Sequence, residues 1–151
     1  GEVIELSPAR EAAVSAISER LAASGGAALI IDYGHAKSAA GDTLQAVRGH
    51  RYAPLLHNPG EQDLTAHVDF EAVARAARSA GAVVTALVEQ GTWLERIGIA
   101  ARAQALAGAH PERAEEIDRA RKRLCDPDQM GSLFKVLGIH APGWPAPAGL
   151  E

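Results

Sequence analysis

The first part of the chain shows two hydrophobic patterns in succession, one with helical spacing and one without interruption. Ser7-Pro8 favours a helix start, because the hydroxyl can cap a helix and proline suits its first turn. Apolar residues then recur at helical intervals as far as Leu21, and Gly25-Gly26 ends the pattern. The unbroken apolar run at residues 27–31 follows, which predicts a strand covered on both faces, as in a parallel sheet.

The rest of the chain continues as an alternation of helices and strands. The further predicted elements are a short strand at residues 3–6, a helix that Asp69 caps and Gly81 ends, a strand at residues 82–88, a helix that starts at a Thr92–Glu95 capping box and breaks at Gly98, a charged helix at residues 111–124, a short helix after Asp126-Pro127 and a strand at residues 134–139. This is an α/β pattern. It supplies only about three core strands, whereas sheets usually have roughly four to six. Either another chain is expected to complete the sheet, or these residues are part of a larger protein.

Two segments lack a regular period. Residues 35–68 are rich in Gly, Pro, His, Asp and Asn, and only a small hairpin near residues 43–52 is predicted within them. A loop of this length in a compact domain is usually functional or mobile. The tail, residues 140–151, is rich in Pro and Gly and is predicted to be irregular.

The composition narrows the classes of partner. Apolar residues make up 47% of the chain and charged residues 23%, which is typical of a globular domain. Nineteen acidic and fifteen basic residues give a net charge of −4, which argues against a nucleic-acid or anionic-membrane partner. No apolar run is long enough for a membrane span, and the first residues do not resemble a signal peptide. The single cysteine, Cys125, excludes an internal disulfide and favours a reducing, cytoplasmic location.

Polar side chains follow the apolar run directly. Asp32, Tyr33 and His35 lie at the end of the predicted strand. In open α/β sheets, ligands bind in the crevice at the carboxyl ends of the strands, so these three residues are candidates for a cleft site. A structural interpretation stays open beside it, in which Asp32 caps the following turn and Tyr33 only packs.

Other polar groups have a structural interpretation that competes with a functional one. His67 and Asp69 could help to hold a metal ion, but no H-E-x-x-H or C-x-x-C spacing accompanies them, and no metal site is expected. A helix N-cap is the simpler role for Asp69. Glu89 ends a predicted strand, where an ion pair or a solvated position is favoured over catalysis. Cys125 has no basic partner nearby in the sequence, which favours an unreactive thiol over a nucleophile.

Four stretches of the chain resemble, in this order, the C-terminal half of the MidA-like methyltransferases: GGAALIIDYGH, DTLQAVRGHRYAPLLHNPGEQDLTAHVDFEAVARAA, QGTWLERIGI and MGSLFKVLGI. The similarity runs from about Glu5 to Ile139, and RGHRY followed by DLTAHVDF is its most specific part. The MidA-like proteins are a class I family that depends on S-adenosylmethionine (SAM). The resemblance therefore implies a link to a mitochondrial relative that methylates protein arginine and assists the assembly of respiratory complex I.

The resemblance implies an α/β fold that is the C-terminal part of a class I (Rossmann-like) SAM-dependent methyltransferase sheet with flanking helices. Residues 1–151 would be the C-terminal portion of that domain, with residues 27–33 as its fifth strand. SAM would be bound mainly by the missing N-terminal half, because this chain has neither the Gly-rich turn nor the acidic residue that hold the cofactor in the class. The chain alone is therefore not expected to bind SAM tightly or to be active.

The resemblance also implies roles for the polar residues. Residues 35–68 would be a loop that covers the cleft and shapes the site for a protein substrate. Methyl transfer to arginine needs a carboxylate that orients the guanidinium, which Asp32 or Asp69 could supply. The residues expected in catalysis are Asp32 and Tyr33, and those expected in substrate binding are His35, Arg48, Thr65, His67 and Asp69.

The expected partners are a protein substrate and a polypeptide that covers the strand at residues 27–33. Either the N-terminal half of the family's domain or a second copy of the chain could occupy that position, because an open apolar strand edge promotes association. An alternative from another class is a non-catalytic protein-interaction or assembly module that docks through the same edge. A metal-dependent hydrolase built on the loop histidines is a third hypothesis.

Overall fold

The computed structural model describes all 151 residues. Its elements, in chain order, are α1 (Pro8–Ser24), β1 (Ala27–His35), β2 (Gln45–Arg48), β3 (Arg51–Ala53), β4 (Asp63–Thr65), β5 (Val68–Asp69), α2 (Phe70–Ser79), β6 (Val83–Val84), β7 (Val88–Glu89), α3 (Gln90–Arg96), α4 (Ile99–Ala109), α5 (Ala114–Cys125), α6 (Met130–Leu133) and β8 (Phe134–His140). A short 3-10 helix, Pro111–Arg113, joins α4 to α5. None of the helices combines the length and the apolar character that a bilayer crossing requires.

β1 and β8 form the centre of a five-stranded mixed sheet of order β5-β1-β8-β6, with β7 also paired to β8. β1 and β8 are antiparallel along residues 27–33 and 134–140. β5 runs parallel to β1 but pairs with it only at Gly34 and His35. The predicted α/β class is confirmed, while the predicted parallel setting of residues 27–33 is wrong within this chain. An unbroken apolar run carries no information about the direction of the neighbouring strand.

A second, three-stranded sheet of order β3-β2-β4 lies within residues 35–68. The β2–β3 hairpin turns at Gly49 and His50, whose φ angles of 55° and 61° are the positive values that a two-residue hairpin turn requires. The predicted hairpin is thus confirmed. β4 extends it by pairing with the other edge of β2, which buries Ala46.

α1 and α2 pack on one face of the main sheet and enclose the hydrophobic core. The largest fully buried side chains include Phe70 and Val73 of α2 and Leu137 and Ile139 of β8, and Val14 of α1 joins the same cluster. Burying an apolar side chain of this size stabilises a fold by about 1.5–3 kcal/mol relative to leaving it exposed. This layer therefore fixes both helices on the sheet.

The start of α2 is held close to the end of β1. Asp69 is the N-cap of α2, as predicted, because its Oδ1 accepts a hydrogen bond from the Ala72 N–H at 2.9 Å. Gly34 permits the close approach, since a Cβ at this position would lie 2.1 Å from the Val68 carbonyl oxygen. The glycine thus places the N-terminus of α2 beside the carboxyl end of β1.

The opposite face of the main sheet is only partly covered. The tail has no helix or strand beyond residue 140, but Leu150 is 4% exposed and packs against Gly138. Leu29 and Ile31 of β1 remain 44% and 41% exposed on this face. The prediction that β1 is covered on both faces is therefore wrong for this chain, because the tail shields Gly138 without shielding these two side chains.

Two predicted strands differ from the structure. Residues 3–6 form no strand, and Ile4 and Leu6 are 71% and 80% exposed. Residues 82–88 form the separate two-residue strands β6 and β7 instead of one strand. The interruption follows from Thr85, whose Oγ1 accepts the hydrogen bond from the Gly138 N–H that a continuous ladder would direct to a backbone carbonyl.

The helix after β7 begins earlier than predicted. α3 starts at Gln90 after the N-cap residue Glu89, so the predicted capping box at Thr92 and Glu95 is wrong. Thr92 already lies inside the helix. The predicted break at Gly98 is confirmed, because this residue has a φ of 95° and separates α3 from α4.

Candidate functional site

A cavity of about 620 Å³ opens at the carboxyl end of β1. It is formed by the segment before α1 with the first turn of that helix, the residues after β1, and the start of α2. The polar side chains that line it are Glu5, Ser7, Arg10, Glu11, His35, Ser38, His67, Asp69 and Arg75. The cavity lies at the sheet edge where the sequence predicts a cleft.

Three of the seven candidate residues, His35, His67 and Asp69, line this cavity. Asp69 uses both oxygens of its carboxylate: Oδ1 caps α2, and Oδ2 accepts a hydrogen bond from Ser38 Oγ at 2.6 Å. Partial burial acts to raise the pKa of Asp69, but the hydrogen bonds from Ser38 and Ala72 outweigh it and hold the pKa below its ordinary value. The residue is therefore an ionised anchor between the loop after β1 and α2.

Asp32 and Tyr33 do not line the cavity. Asp32 Oδ1 accepts a hydrogen bond from the N–H of Tyr33 at 2.8 Å, which is a contact within β1 and not the predicted cap of a following turn. The Tyr33 ring packs edge-on against His67, with 5.7 Å between ring centroids, and against Phe134 at 5.5 Å. Tyr33 thus contacts a residue of the cavity wall, His67, without lining the cavity itself.

Arg48 and Thr65 belong to the small sheet and do not line the cavity. An ion pair of 2.8 Å joins Arg48 Nη2 to Glu61 Oε2, and both side chains are more than half exposed. An exposed pair of this kind contributes about 0–1 kcal/mol. Thr65 stands opposite Gln45 in the β2–β4 ladder. The structure does not bring these two residues together with His35, His67 and Asp69.

Sequence reasoning missed Glu5, whose carboxylate is fixed in the cavity wall. Glu5 Oε1 accepts a hydrogen bond from the Thr43 N–H at 2.9 Å, and Oε2 accepts one from Thr43 Oγ1 at 2.5 Å. The hydroxyl of Thr43, reinforced by its N–H, holds the pKa of Glu5 below its ordinary value. The two residues are 38 positions apart, and neither lies in a helix or strand, so no spacing rule could have linked them.

Thr43 connects Glu5 to a residue that the sequence did single out. The Oγ1 atom that donates to Glu5 also accepts a hydrogen bond from the His67 N–H at 2.9 Å. The network therefore ties the segment before α1 to the connection between β4 and β5. Carboxylates fixed in this way can accept N–H hydrogen bonds from a cationic group in the cavity.

The other chemical candidates have structural roles. Ser132 Oγ donates a hydrogen bond to Glu89 Oε2 at 3.0 Å, and Glu89 Oε1 lies 3.8 Å from Lys135 Nζ, so the predicted ion pair is confirmed. Burial raises the pKa of the Cys125 thiol, which disfavours the reactive thiolate. The structure brings no three His, Cys, Asp or Glu side chains into an arrangement that could hold a metal ion.

Known proteins show a consistent similarity to this chain. Residues 1–88 match a family described as S-adenosyl-L-methionine-dependent methyltransferases. The chain is 42% identical over 138 residues to the Drosophila melanogaster protein arginine methyltransferase NDUFAF7 homolog, mitochondrial, and covers 31% of it with 90% of its own length. It is 36% identical over 140 residues to the mouse protein arginine methyltransferase NDUFAF7, mitochondrial, covering 32% of it with 91% of its own length. The chain thus spans about a third of the length of these relatives.

Solved structures show the same similarity. A crystal structure of a Burkholderia thailandensis protein bound to S-adenosyl-homocysteine superposes on the chain with a TM-score of 0.79 at 28% identity, over 93% of this chain and 36% of that one. A second crystal structure of a protein from the same organism has a TM-score of 0.77 at 29% identity, over 93% of this chain and 37% of that one. The shared fold confirms the predicted class.

The expected cytoplasmic location is contradicted by the same comparisons. The Drosophila, mouse and human relatives are all named mitochondrial. A single cysteine indicates only that the chain forms no internal disulfide, and it does not distinguish one reducing compartment from another. The cysteine count therefore gave a wrong location.

Proposed function

Because the chain belongs to the S-adenosyl-L-methionine-dependent methyltransferase family, we propose that it forms the acceptor side of an enzyme that methylates arginine side chains of a protein. Relatives named as arginine methyltransferases support the acceptor class. The S-adenosyl-homocysteine in the related structure supports the reaction, since SAM becomes this compound when it gives up its methyl group. The observation that carries the proposal is the cavity at the carboxyl end of β1, with Glu5 and Asp69 fixed in its wall.

The residues of this chain do not by themselves fit SAM. The class holds its cofactor on a Gly-rich turn between a strand and a helix, but here β5 runs directly into α2 and β7 directly into α3. Gly91, at the second of these junctions, packs against the Cys125 carbonyl oxygen, which is 2.3 Å from where a Cβ would lie. This glycine serves helix packing. We therefore assign SAM, which supplies the methyl group, to the part of the family's domain outside the matched third.

The residues of this chain act on the acceptor in this proposal. The reaction breaks the S–CH₃ bond, forms an N–CH₃ bond and releases one proton from the guanidinium nitrogen. Holding the acceptor nitrogen in line with the methyl group is the main contribution that a protein can make to such a transfer. His35 and His67 line the cavity, and a neutral imidazole there can accept the released proton.

The open edge of β1 is, in this proposal, where the rest of the sheet attaches. β8 pairs with one edge of β1 along residues 27–33, while β5 occupies the other edge only at Gly34 and His35. Leu29 and Ile31 remain exposed next to the unpaired edge. Because an unpaired strand with exposed apolar side chains promotes association, we infer that the N-terminal half of the family's domain covers it, with a second copy as the alternative.

From the family resemblance we infer further that this methyltransferase is linked to the assembly of a respiratory complex. The open edge of β1 also supports a second candidate function, a non-catalytic assembly module that binds a partner and transfers no methyl group. The two functions differ in one observable, which is the incorporation of methyl groups into the bound protein.

A chimeric enzyme tests the proposed function. This chain replaces the matched 138 residues of the Drosophila relative, and the product is incubated with SAM tritiated in its methyl group and with mitochondrial proteins as acceptors. We expect label in methylarginine after acid hydrolysis, and none from this chain alone. If the unaltered Drosophila protein labels arginine and the folded chimera does not, the proposal is wrong. Partner capture without label would favour the assembly module.

A further inference from the structure

We propose that the Glu5 carboxylate receives the guanidinium of the acceptor arginine and thereby selects arginine as the substrate. This inference rests on the proposed arginine methylation and deepens it by naming the group that recognises the acceptor. It assigns a substrate-binding role to a residue in the irregular segment before α1.

Glu5 is fixed before any substrate arrives. Both of its carboxylate oxygens accept hydrogen bonds from Thr43, at 2.9 Å and 2.5 Å, and the side chain is half-buried in the cavity wall. An ionised carboxylate offers about four acceptor positions, so each oxygen keeps a free position after binding Thr43. Two parallel N–H groups of a guanidinium match such a pair of oxygens.

The carboxylate of Glu5 makes no ion pair within the chain, although Arg10, Arg75 and His35 line the same cavity. None of the ion pairs in the structure involves this residue. Its hydrogen bonds to Thr43 favour the ionised form, because the hydroxyl and N–H donate to the charged carboxylate. The guanidinium of an arginine substrate in the cavity can form the ion pair that Glu5 does not make within the chain.

The other two carboxylates in the cavity fit this role less well. Asp69 joins two structural elements, because Oδ1 caps α2 and Oδ2 accepts a hydrogen bond from Ser38, whereas both donors to Glu5 belong to Thr43. No hydrogen bond fixes the carboxylate of Glu11. Only its backbone N–H is bound, to the Ser7 carbonyl oxygen at 3.1 Å. Glu5 is thus a fixed carboxylate of the cavity wall that does not also cap a helix.

Peptide binding to this chain tests the inference directly. Two peptides are compared by NMR titration, one with a central arginine and one with citrulline, which has the same shape but no charge. We expect the wild-type chain to bind the arginine peptide at least about tenfold more tightly, as a charge-assisted pair of hydrogen bonds predicts. Glu5→Gln should remove this preference, because glutamine can keep the contacts to Thr43 but carries no charge.

Glu2→Gln is the matched control, since it removes the same charge from an exposed position of the same segment. We expect it to keep the preference for arginine. Thr43→Val should weaken the preference by releasing the Glu5 carboxylate, and Thr43→Ser should restore it. A preference that survives in Glu5→Gln, or one that is absent from the wild type, would overturn the inference.

The same variants in the chimera separate this inference from the proposed function. If the chimera labels arginine, Glu5→Gln should lower kcat/KM for the protein acceptor at least about tenfold, as the loss of a charged contact predicts, with Glu2→Gln unchanged. Equal values for the two variants would overturn the role of Glu5 and leave arginine methylation standing. In a third outcome, the chimera is inactive while the wild-type chain still prefers the arginine peptide and Glu5→Gln loses that preference. This pair of results would refute the proposed function but would retain Glu5 as a guanidinium-binding residue.

Discussion

The carboxylate of Asp69 accepts two hydrogen bonds, one from Ala72 at the start of α2 and one from Ser38 in the loop after β1. Because both contacts are made to the ionised form, folding lowers the pKa of this residue, and the same holds for Glu5. A carboxyl group with a lowered folded pKa adds stability above its unfolded pKa of about 4. That stability is lost as the pH falls through the lower folded value.

Acid should therefore destabilise the wild-type chain more than the Asp69→Asn variant. The asparagine keeps an oxygen that can cap α2 but cannot be protonated in this range. We expect the free energy of unfolding in urea to fall from about pH 5 downward in both proteins, and less steeply in Asp69→Asn. Identical slopes would show that Asp69 does not contribute to the acid sensitivity.

Ser18 is a residue whose side chain is buried at a cost. It is fully buried in α1, and its Oγ has no hydrogen-bond partner. Ser18→Ala should raise the free energy of unfolding by about 1 kcal/mol more than Ser15→Ala, because only the first removes an unsatisfied buried hydroxyl. The comparison cancels the gain in helix propensity that both variants share. Chemical denaturation measures the difference, and an equal effect of both changes would contradict the prediction.

At the scale of elements, the junction of β1 and β5 depends on Gly34. Gly34→Ala should lower the free energy of unfolding by about 1–3 kcal/mol, because its Cβ would overlap the Val68 carbonyl oxygen. Gly41→Ala is the control, since a Cβ there meets no atom within 4 Å. Urea denaturation gives both values. A Gly34 variant as stable as the Gly41 variant would show that β5 can move away without cost.

The elements that the sequence predicts well are those with strong local signals. Asp69 and Gly98 mark a helix start and a helix break by their own chemistry, and both predictions hold. The single strand expected at residues 82–88 fails because Thr85 enters the ladder through its side chain, a contact with Gly138 that lies 53 positions away. The local pattern of apolar and polar residues does not indicate a contact between residues so far apart in the sequence.

The residues of the candidate site also divide into those that a sequence rule predicts and those that it does not. His35, His67 and Asp69 could be found from the rule that ligands gather at the carboxyl ends of strands. Arg48 and Thr65 share their segment in the sequence but lie in a separate small sheet. Glu5 is absent from the prediction because it enters the cavity through a hydrogen bond to a residue 38 positions away.

At the scale of the whole molecule, the exposed face of β1 should govern association. Ile31→Lys should reduce the self-association of the isolated chain in sedimentation experiments, because a charge beside an open strand edge opposes pairing. Ile17→Lys is the control, since Ile17 is exposed to a similar degree, 46% against 41%, but lies on α1. Equal sedimentation of the two variants would place the association elsewhere on the surface.

The hydroxyl of Thr43 has a consequence for motion. One oxygen atom donates to Glu5 and accepts from His67, so it is shared by two walls that are far apart along the chain. If residues 36–44 swing outward, the Glu5 carboxylate loses its two donors and the backbone N–H of His67 loses its acceptor in the same movement. Movement of this one segment would then free the segment before α1 and the connection between β4 and β5 from each other.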